Sequence, residues 1–249
     1  MRVVVLGASS GLGRCIGVGL ARRGARVALL ARRAERLATA AAEAGDGALP
    51  IACDVTDPTS CNAAIAEAAA GLGGIDALVY ATGIGPLGHV LEHSADTWAH
   101  AFATNVTGAA LATSAAIDHL VASSGTAIYL STVSASMTPP WPGLSAYIVS
   151  KAALDKLVEA LRVEHPHVGF TRLVVGDCAG GEGDGTTEFA NAWDPQVAAE
   201  FGTSWVSKGY ITGSMIQVDQ LVDVVDHIAR GGASYSLPSV TIAPRPTRP

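Results

Sequence analysis

Short β-branched runs alternate with Ala-rich stretches of helical length along this chain, beginning at its second residue. "RVVVLG" (2–7), "RVALLA" (26–31), "ALPIACDV" (48–55), "DALVYATG" (76–83), "TAIYLSTV" (126–133) and "GFTRLVVG" (169–176) read as strands, and "SVTIA" (239–243) as a seventh. They are largely continuous apolar runs, not alternating ones, which is how strands covered on both faces read. Between them the pattern predicts helices over Gly11–Arg23, Ala34–Ala44, a stretch opening at a capping Asp57, and Ala146–Glu164. Residues 94–123 hold two helices or one bent one, and "QVDQLVDVVDHIAR" holds a last. Strict βαβ alternation predicts an α/β fold: a doubly wound, Rossmann-type, mostly parallel seven-stranded sheet with helices on both faces.

Composition narrows the possible partners. The 249 residues suit one α/β domain over 1–249, and 49% hydrophobic against 15% charged residues supply a large core. The formal net charge is −6 and no basic run occurs, which argues against nucleic acid or an anionic membrane as partner. No apolar run reaches about 18 residues, the length needed to span a bilayer. The chain enters a strand at once, without the pattern of a secretory signal, so a cytoplasmic protein is expected. Cys15, Cys53, Cys61 and Cys178 form no C-x-x-C pair and read as buried, reduced thiols. The seven histidines show no metal spacing, and no metal is expected.

The first strand-to-helix turn, "LGASSGLG", carries Gly7, Ser9, Ser10, Gly11, Leu12 and Gly13. Glycines there let the backbone turn sharply and approach a ligand. The helix N-terminus behind them offers free N–H groups and partial positive charge to a pyrophosphate. The spacing is G-x-x-x-G-x-G, and with it the chain resembles the short-chain dehydrogenase/reductase family over nearly its whole length. NAD-binding folds tend to end the second strand near an Asp or Glu that accepts from the ribose 2′-hydroxyl. This chain has Ala31, Arg32 and Arg33. Guanidinium forks bind phosphate, so the expected cofactor is NADP(H), with Ser10 adding a hydrogen bond. The resemblance also implies an adenine site at Asp54 and Val55. It further implies a cofactor contact at "YATG", through Ala81, Thr82 and Gly83, where the family shows N-N-A-G; Tyr80 and Thr82 depart from that pattern.

Tyr147 and Lys151 stand four apart on a predicted helix, which puts their Cβ atoms roughly 5–6 Å apart on one face. Reducing a ketone with a hydride requires a proton donor to the growing alkoxide, and oxidation requires a base. A free tyrosine titrates near pH ~10, too high for a base at neutral pH, and a neighbouring ammonium is expected to lower it. The resemblance implies that Lys151 also holds the nicotinamide ribose and that Asn105 positions a water in a proton relay. A hydroxyl should hold the substrate oxygen beside Tyr147. Counting back 13 residues gives Ser134, whereas strand register gives Thr132. Register is preferred, because the loop "ASMTPPWPGLSA" can change length at little cost. Ser131 is the third candidate.

After residue 176 the pattern breaks. Gly176 and Asp177 stand where the family shows Pro-Gly, and Thr186 or Thr187 is left to serve the nicotinamide amide. The segment 177–210 reads as a substrate lid, because a connection of this length is seldom inert. Asp177, Glu182 and Asp184 read as a solvated acidic loop, and Trp141 with the lid aromatics as packing or as an apolar pocket wall. The expected activity is hydride transfer between nicotinamide and a small-molecule ketone or secondary alcohol, with Tyr147 as acid/base. The alternatives are an idle NADP-binding regulator and an epimerase or dehydratase using bound cofactor. The Ala-rich helices at 98–123 and 146–164 suit a homodimer or homotetramer.

Overall fold

The computed structural model describes every residue except 182, 212 and 246–249, and the backbone alone at 184. Glu182 and most of the Pro/Arg tail therefore lie outside the described residues. The strands are β1 (Arg2–Leu6), β2 (Arg26–Ala31), β3 (Leu49–Ala52), β4 (Ala77–Tyr80), β5 (Thr126–Thr132), β6 (Gly169–Val175) and β7 (Ser239–Ile242). They form one sheet in the order β3-β2-β1-β4-β5-β6-β7, and every pairing is parallel. β3 stops earlier than its apolar run suggests. Asp54 Oδ1 accepts from the backbone N and hydroxyl of Thr56 and turns the chain there.

The sheet is covered on both faces, as continuous apolar strands require. Val3 and Val5 of β1 pack with side chains of α1 (Gly11–Arg22), α2 (Ala34–Ala44) and α9 (Val218–Ala229). Val4 and Leu6 pack on the other face, with α3 (Pro58–Leu72), α5 (Gly108–Ser123) and α7 (Ser145–Glu164). All four are 0% exposed. Burying side chains of this size contributes about 1.5–3 kcal/mol each. α3 begins as its sequence indicates, with the Asp57 side chain accepting from Thr59 N and Pro58 in the first helical position. Among the described residues, no helix is long and apolar enough to cross a membrane. Cys53 and Cys61 are buried, but Cys15 and Cys178 are only half-buried, because they sit where the 177–210 segment meets the glycine loop.

Residues 95–123 form one helical passage interrupted by a π-helical turn. α4 (Ala95–Phe102) leads into that turn (Ala103–Thr107), which leads into α5. Such turns are frequent at functional sites, and this one carries Asn105. The turn has a specific support. Tyr80, buried at the end of β4, donates its hydroxyl to the Thr104 carbonyl. The tyrosine that departs from the family pattern is thus a prop for the turn.

The segment after β6 contains a 3-10 turn (Gly183–Gly185) and a helix, α8 (Pro195–Ser207). Asp194 caps α8 by accepting from Gln196 N and Val197 N. Phe201 and Trp205 anchor it in a separate apolar cluster with Leu144 and Ile148.

Replacing Tyr80 with Phe leaves the Thr104 carbonyl buried without its partner. Denaturant unfolding of Tyr80→Phe is expected to show a loss of about 1–3 kcal/mol. A loss within error of zero would show that the π-turn does not depend on this bond.

Candidate active site

Strand order puts β1 between β2 and β4, so the chain departs from the sheet to opposite sides at this point. Ligands of open α/β sheets bind in the crevice so formed, beyond the carboxyl ends of the strands. A cleft of about 910 Å³ lies there. Among the residues singled out from sequence, Gly7, Ser9, Ser10, Gly11, Leu12, Gly13, Arg32, Arg33, Asp54, Val55, Ala81, Thr82 and Gly83 line it. So do Ser131, Thr132, Ser134, Tyr147 and Lys151, whereas Asn105 is buried behind the wall.

The glycine loop is shaped as a cradle. Gly7 has φ +85°, and a Cβ there would stand 2.8 Å from Thr82 N. A Cβ on Gly13 would run into the Gly7 carbonyl. Ser10 is the N-cap residue of α1, yet its side chain makes no capping bond, so side chains leave the helix N-terminus open to a ligand. Thr82 Oγ1 is buried with no hydrogen-bond partner among the described residues. The open helix end, the orphaned hydroxyl and the close glycine packing fit a dinucleotide with its pyrophosphate on the loop.

Arg33 organises the far end of the cleft. Its Nε and one terminal nitrogen donate to Ser9 Oγ at 3.2 and 2.9 Å, and that nitrogen also donates to Ser10 Oγ at 2.7 Å. Its other nitrogen pairs with Glu188 at 2.6 Å, and Arg36 pairs with the same carboxylate. Sequence reasoning found Arg33 but not Glu188 or Arg36. Arg36 stands one helical turn past Arg33, but nothing local announces a carboxylate 155 residues away. Arg32 lies at the cleft wall. The Asp54 carboxyl is held below its usual range, chiefly by its bonds to Thr56, with the Arg32 charge helping.

At the near end, β5 delivers Thr132 and α7 delivers Tyr147 and Lys151. Lys151 is 4% exposed and donates from Nζ to the Leu130 carbonyl at 2.8 Å. Nζ lies 6.0 Å from the centre of the Tyr147 ring. Burial pushes the Lys151 ammonium down to about 8, partly opposed by the charge of Asp155. Asp155 stands four residues further along α7, on the same helix face, and sequence reasoning passed over it. The Tyr147 phenol moves opposite to the sequence expectation. Burial pushes it up to about 12, and the Thr132 hydroxyl pulls it only partly back. Desolvation of the phenolate outweighs a lysine that is itself desolvated and bonded to a carbonyl.

The three candidate hydroxyls separate in space. Thr132 is the hydroxyl that lowers the Tyr147 phenol, and Ser134 Oγ lies 3.1 Å from Thr132 Oγ1. The short helix α6 (Val133–Ser136) brings Ser134 there, where the sequence pattern ends the strand at Val133 and opens the loop at Ala135. Ser131 faces Asp155, whose carboxyl its hydroxyl helps hold down against burial, although neither Ser131 Oγ nor Asp155 Oδ1 has a hydrogen bond of ordinary geometry. Asn105 braces the wall. Its Nδ2 donates to the Ile84 carbonyl and Ser150 Oγ, its Oδ1 accepts from Ile84 N, and Ser150 donates to the Tyr147 carbonyl. With both amide protons engaged, this side chain has none to offer a water.

The 177–210 segment closes one side. Phe189 packs edge-on to Tyr147 with ring centres 4.8 Å apart, and Trp193 donates its indole N–H to the Gly85 carbonyl. Trp141, Trp193 and Trp205 also line the cleft. Thr187 reaches it, whereas Thr186 donates to Gly181 O and does not line it. Gly176 and Asp177 line the cleft floor, and burial raises the Asp177 carboxyl.

Comparison with known proteins agrees with this geometry. The family model for short chain dehydrogenase matches residues 1–181. A short chain dehydrogenase of Pseudocercospora fijiensis is 36% identical over 167 residues, covering 65% of this chain and 53% of that protein. Galactitol 2-dehydrogenase (L-tagatose-forming) of Cereibacter sphaeroides is 37% identical over 162 residues, 64% of this chain and 63% of that protein. The matches thus span about half to two thirds of these relatives' lengths. A short-chain type dehydrogenase/reductase from Mycobacterium marinum superposes with a TM-score of 0.82 at 29% identity, covering 97% of this chain and 93% of that one. The chain belongs to the short-chain dehydrogenase/reductase family, a family of oxidoreductases that use a nicotinamide cofactor. The family-model match ends at residue 181, within the first residues of the 177–210 segment.

Lys151 has a stability signature. Its folded pKa, about 8, lies below the 10.5 of a free lysine, so the unfolded chain binds the extra proton between those values and its contribution to stability rises with pH there. In Lys151→Met this rise disappears. The unfolding free energy of the native protein, relative to the variant, should climb by about 3 kcal/mol from pH 7 to 10.5. A flat difference would mean that the ammonium is not desolvated.

Proposed function

We propose that this protein is an NADP(H)-dependent oxidoreductase interconverting a ketone and its secondary alcohol. The observation that carries the reading is the convergence of Thr132, Tyr147 and Lys151 on one wall of the cleft, with the glycine cradle and Arg33 at its other end. The cofactor, when bound, supplies or accepts the hydride. Thr132 holds the substrate oxygen beside Tyr147. The Tyr147 phenol, protonated at neutral pH, donates its proton to that oxygen in the reducing direction. Lys151 remains mostly charged near pH 7 and replenishes or steadies the phenol proton. Asn105 keeps the helix that carries Tyr147 in register with the end of β4.

Arg33 supports the choice of NADP(H) over NAD(H), with Arg32 beside it on the cleft wall. Ala31, Arg32 and Arg33 stand where an acidic residue would end β2, and Arg33 already gathers the two loop hydroxyls that a 2′-phosphate would share. The residues 177–210 serve as the lid of this one-domain enzyme, and the aromatic wall favours a substrate with a substantial apolar part. A second reading draws on a relative from Xanthobacter autotrophicus, 35% identical over 154 residues, named "Inactive 2-(S)-hydroxypropyl-CoM dehydrogenase 2". The corresponding alternative here is an idle NADP-binding protein. The joint presence of Thr132, Tyr147 and Lys151 on one cleft wall weighs against it.

An NADPH-oxidation screen over ketones of graded size decides between them. Turnover is expected, falling about 10²- to 10⁴-fold in Tyr147→Phe. Thr132→Val should lose more than Ser134→Ala, and Ser131→Ala least. Stoichiometric NADPH binding without turnover of any ketone would instead favour the idle protein, and product formation without net NADPH oxidation an epimerase or dehydratase. Equal or better turnover with NADH, or unchanged NADPH affinity in Arg33→Ala, would overturn the cofactor assignment.

A further inference from the structure

Glu188 belongs to the lid, yet its carboxylate is held at the cofactor end of the cleft. Arg33 pairs with one oxygen at 2.6 Å, and Arg36 pairs with the other. Both ion pairs hold its carboxyl at about 2, well below the usual carboxylate range, and the Ser10 hydroxyl contributes. Ser9 and Ser10 complete the same cluster through Arg33. Two guanidinium groups around one anion, one of them also donating to the Ser10 hydroxyl, form a donor set that suits a phosphate monoester. In this structure the anion is part of the chain.

The next residue reaches the other end of the cleft. Phe189 lies against Tyr147 at 4.8 Å and against Trp193 at 5.4 Å between ring centres. Gly85 has no side chain where Phe189 passes, and a Cβ there would overlap the ring. Two consecutive residues therefore engage the proposed phosphate site and the catalytic tyrosine. Their backbones share one peptide unit, so a backbone shift that draws Glu188 away from Arg33 carries Phe189 with it.

We propose that Glu188 is an internal competitor for the cofactor 2′-phosphate, and that its displacement from Arg33 withdraws Phe189 from Tyr147. The proposal rests on the NADP(H) reading above. Glu188 determines specificity in two ways. A cofactor without the 2′-phosphate leaves the Arg33–Glu188 pair intact and Phe189 over the tyrosine. One bearing it replaces a single negative charge with a group of nearly two at the same guanidinium groups, so the exchange favours the phosphate. The contribution of Glu188 is a penalty on every 2′-phosphorylated ligand, which its removal should reveal.

The test uses the fragments 2′,5′-ADP and 5′-AMP, which differ by that phosphate, with binding read by calorimetry. Glu188→Gln keeps the size of the side chain and removes its charge. It is expected to tighten 2′,5′-ADP by about fivefold, the upper range for a partly exposed ion pair, and to leave 5′-AMP within twofold. Unchanged or weaker 2′,5′-ADP binding in the variant, with the native protein still preferring 2′,5′-ADP, overturns the competition and leaves the NADP(H) reading standing. A native protein that binds both fragments equally removes the NADP(H) reading and this proposal together. The coupling is read separately in the native protein by hydrogen exchange over residues 186–193. Exchange should rise with 2′,5′-ADP and stay constant with 5′-AMP. A fall with 2′,5′-ADP would mean that the phosphate tightens the segment, contradicting the withdrawal of Phe189.

Discussion

Burial of both faces of β1 is the constraint on which the rest depends. Val3, Val4, Val5 and Leu6 each lose all contact with solvent, divided between two separate cores. A strand so placed must be central and parallel, with helices above and below. The turn that leaves it can then point only into the crevice between the two halves of the sheet. Gly7 and Gly13 make that turn close enough to Thr82 and to itself to form a cradle. The end of β5 and the start of α7 open onto the same crevice, so Thr132, Tyr147 and Lys151 meet the glycine loop without any element being arranged for chemistry alone.

Within the crevice two electrostatic environments differ. The near end is dry: Lys151 and Tyr147 are both shifted toward their neutral forms by desolvation, the lysine to about 8 and the tyrosine to about 12. The far end is charged and partly wet, with the Glu188 carboxylate paired to both Arg33 and Arg36. The dry end suits proton transfer to a carbonyl oxygen, and the charged end suits holding a phosphate. The aromatic segment that closes the cleft touches both, through Phe189 and Glu188.

The sheet was legible because its strands are continuously apolar, and helix starts were legible where Asp57 or a glycine announces them. Thr132 could be singled out because strand register is set by packing. Ser134 was harder to place, since it depends on a four-residue helix that the loop composition hides. The direction of the Tyr147 shift was misread because Tyr-x-x-x-Lys spacing shows proximity and says nothing of solvent. Glu188 was illegible for a different reason: it meets Arg33 only through the tertiary path of a long segment. The helix α8 within that segment did carry a readable signal. Asp194 and Pro195 are a capping pair, and Val197, Phe201 and Trp205 recur at four-residue intervals. The glycines before them obscured it.

Isotope transfer tests the central claim most directly. The purified protein would be given a ketone it accepts and NADPH carrying deuterium at the transferable position of its nicotinamide ring, and the alcohol analysed by mass spectrometry. The account predicts one deuterium in each product molecule, bound to the former carbonyl carbon, and an amount of labelled alcohol about 10²- to 10⁴-fold lower when Tyr147→Phe replaces the native protein over the same interval. Alcohol formed without deuterium from either ring face, or full labelling at an undiminished rate in Tyr147→Phe, would contradict it.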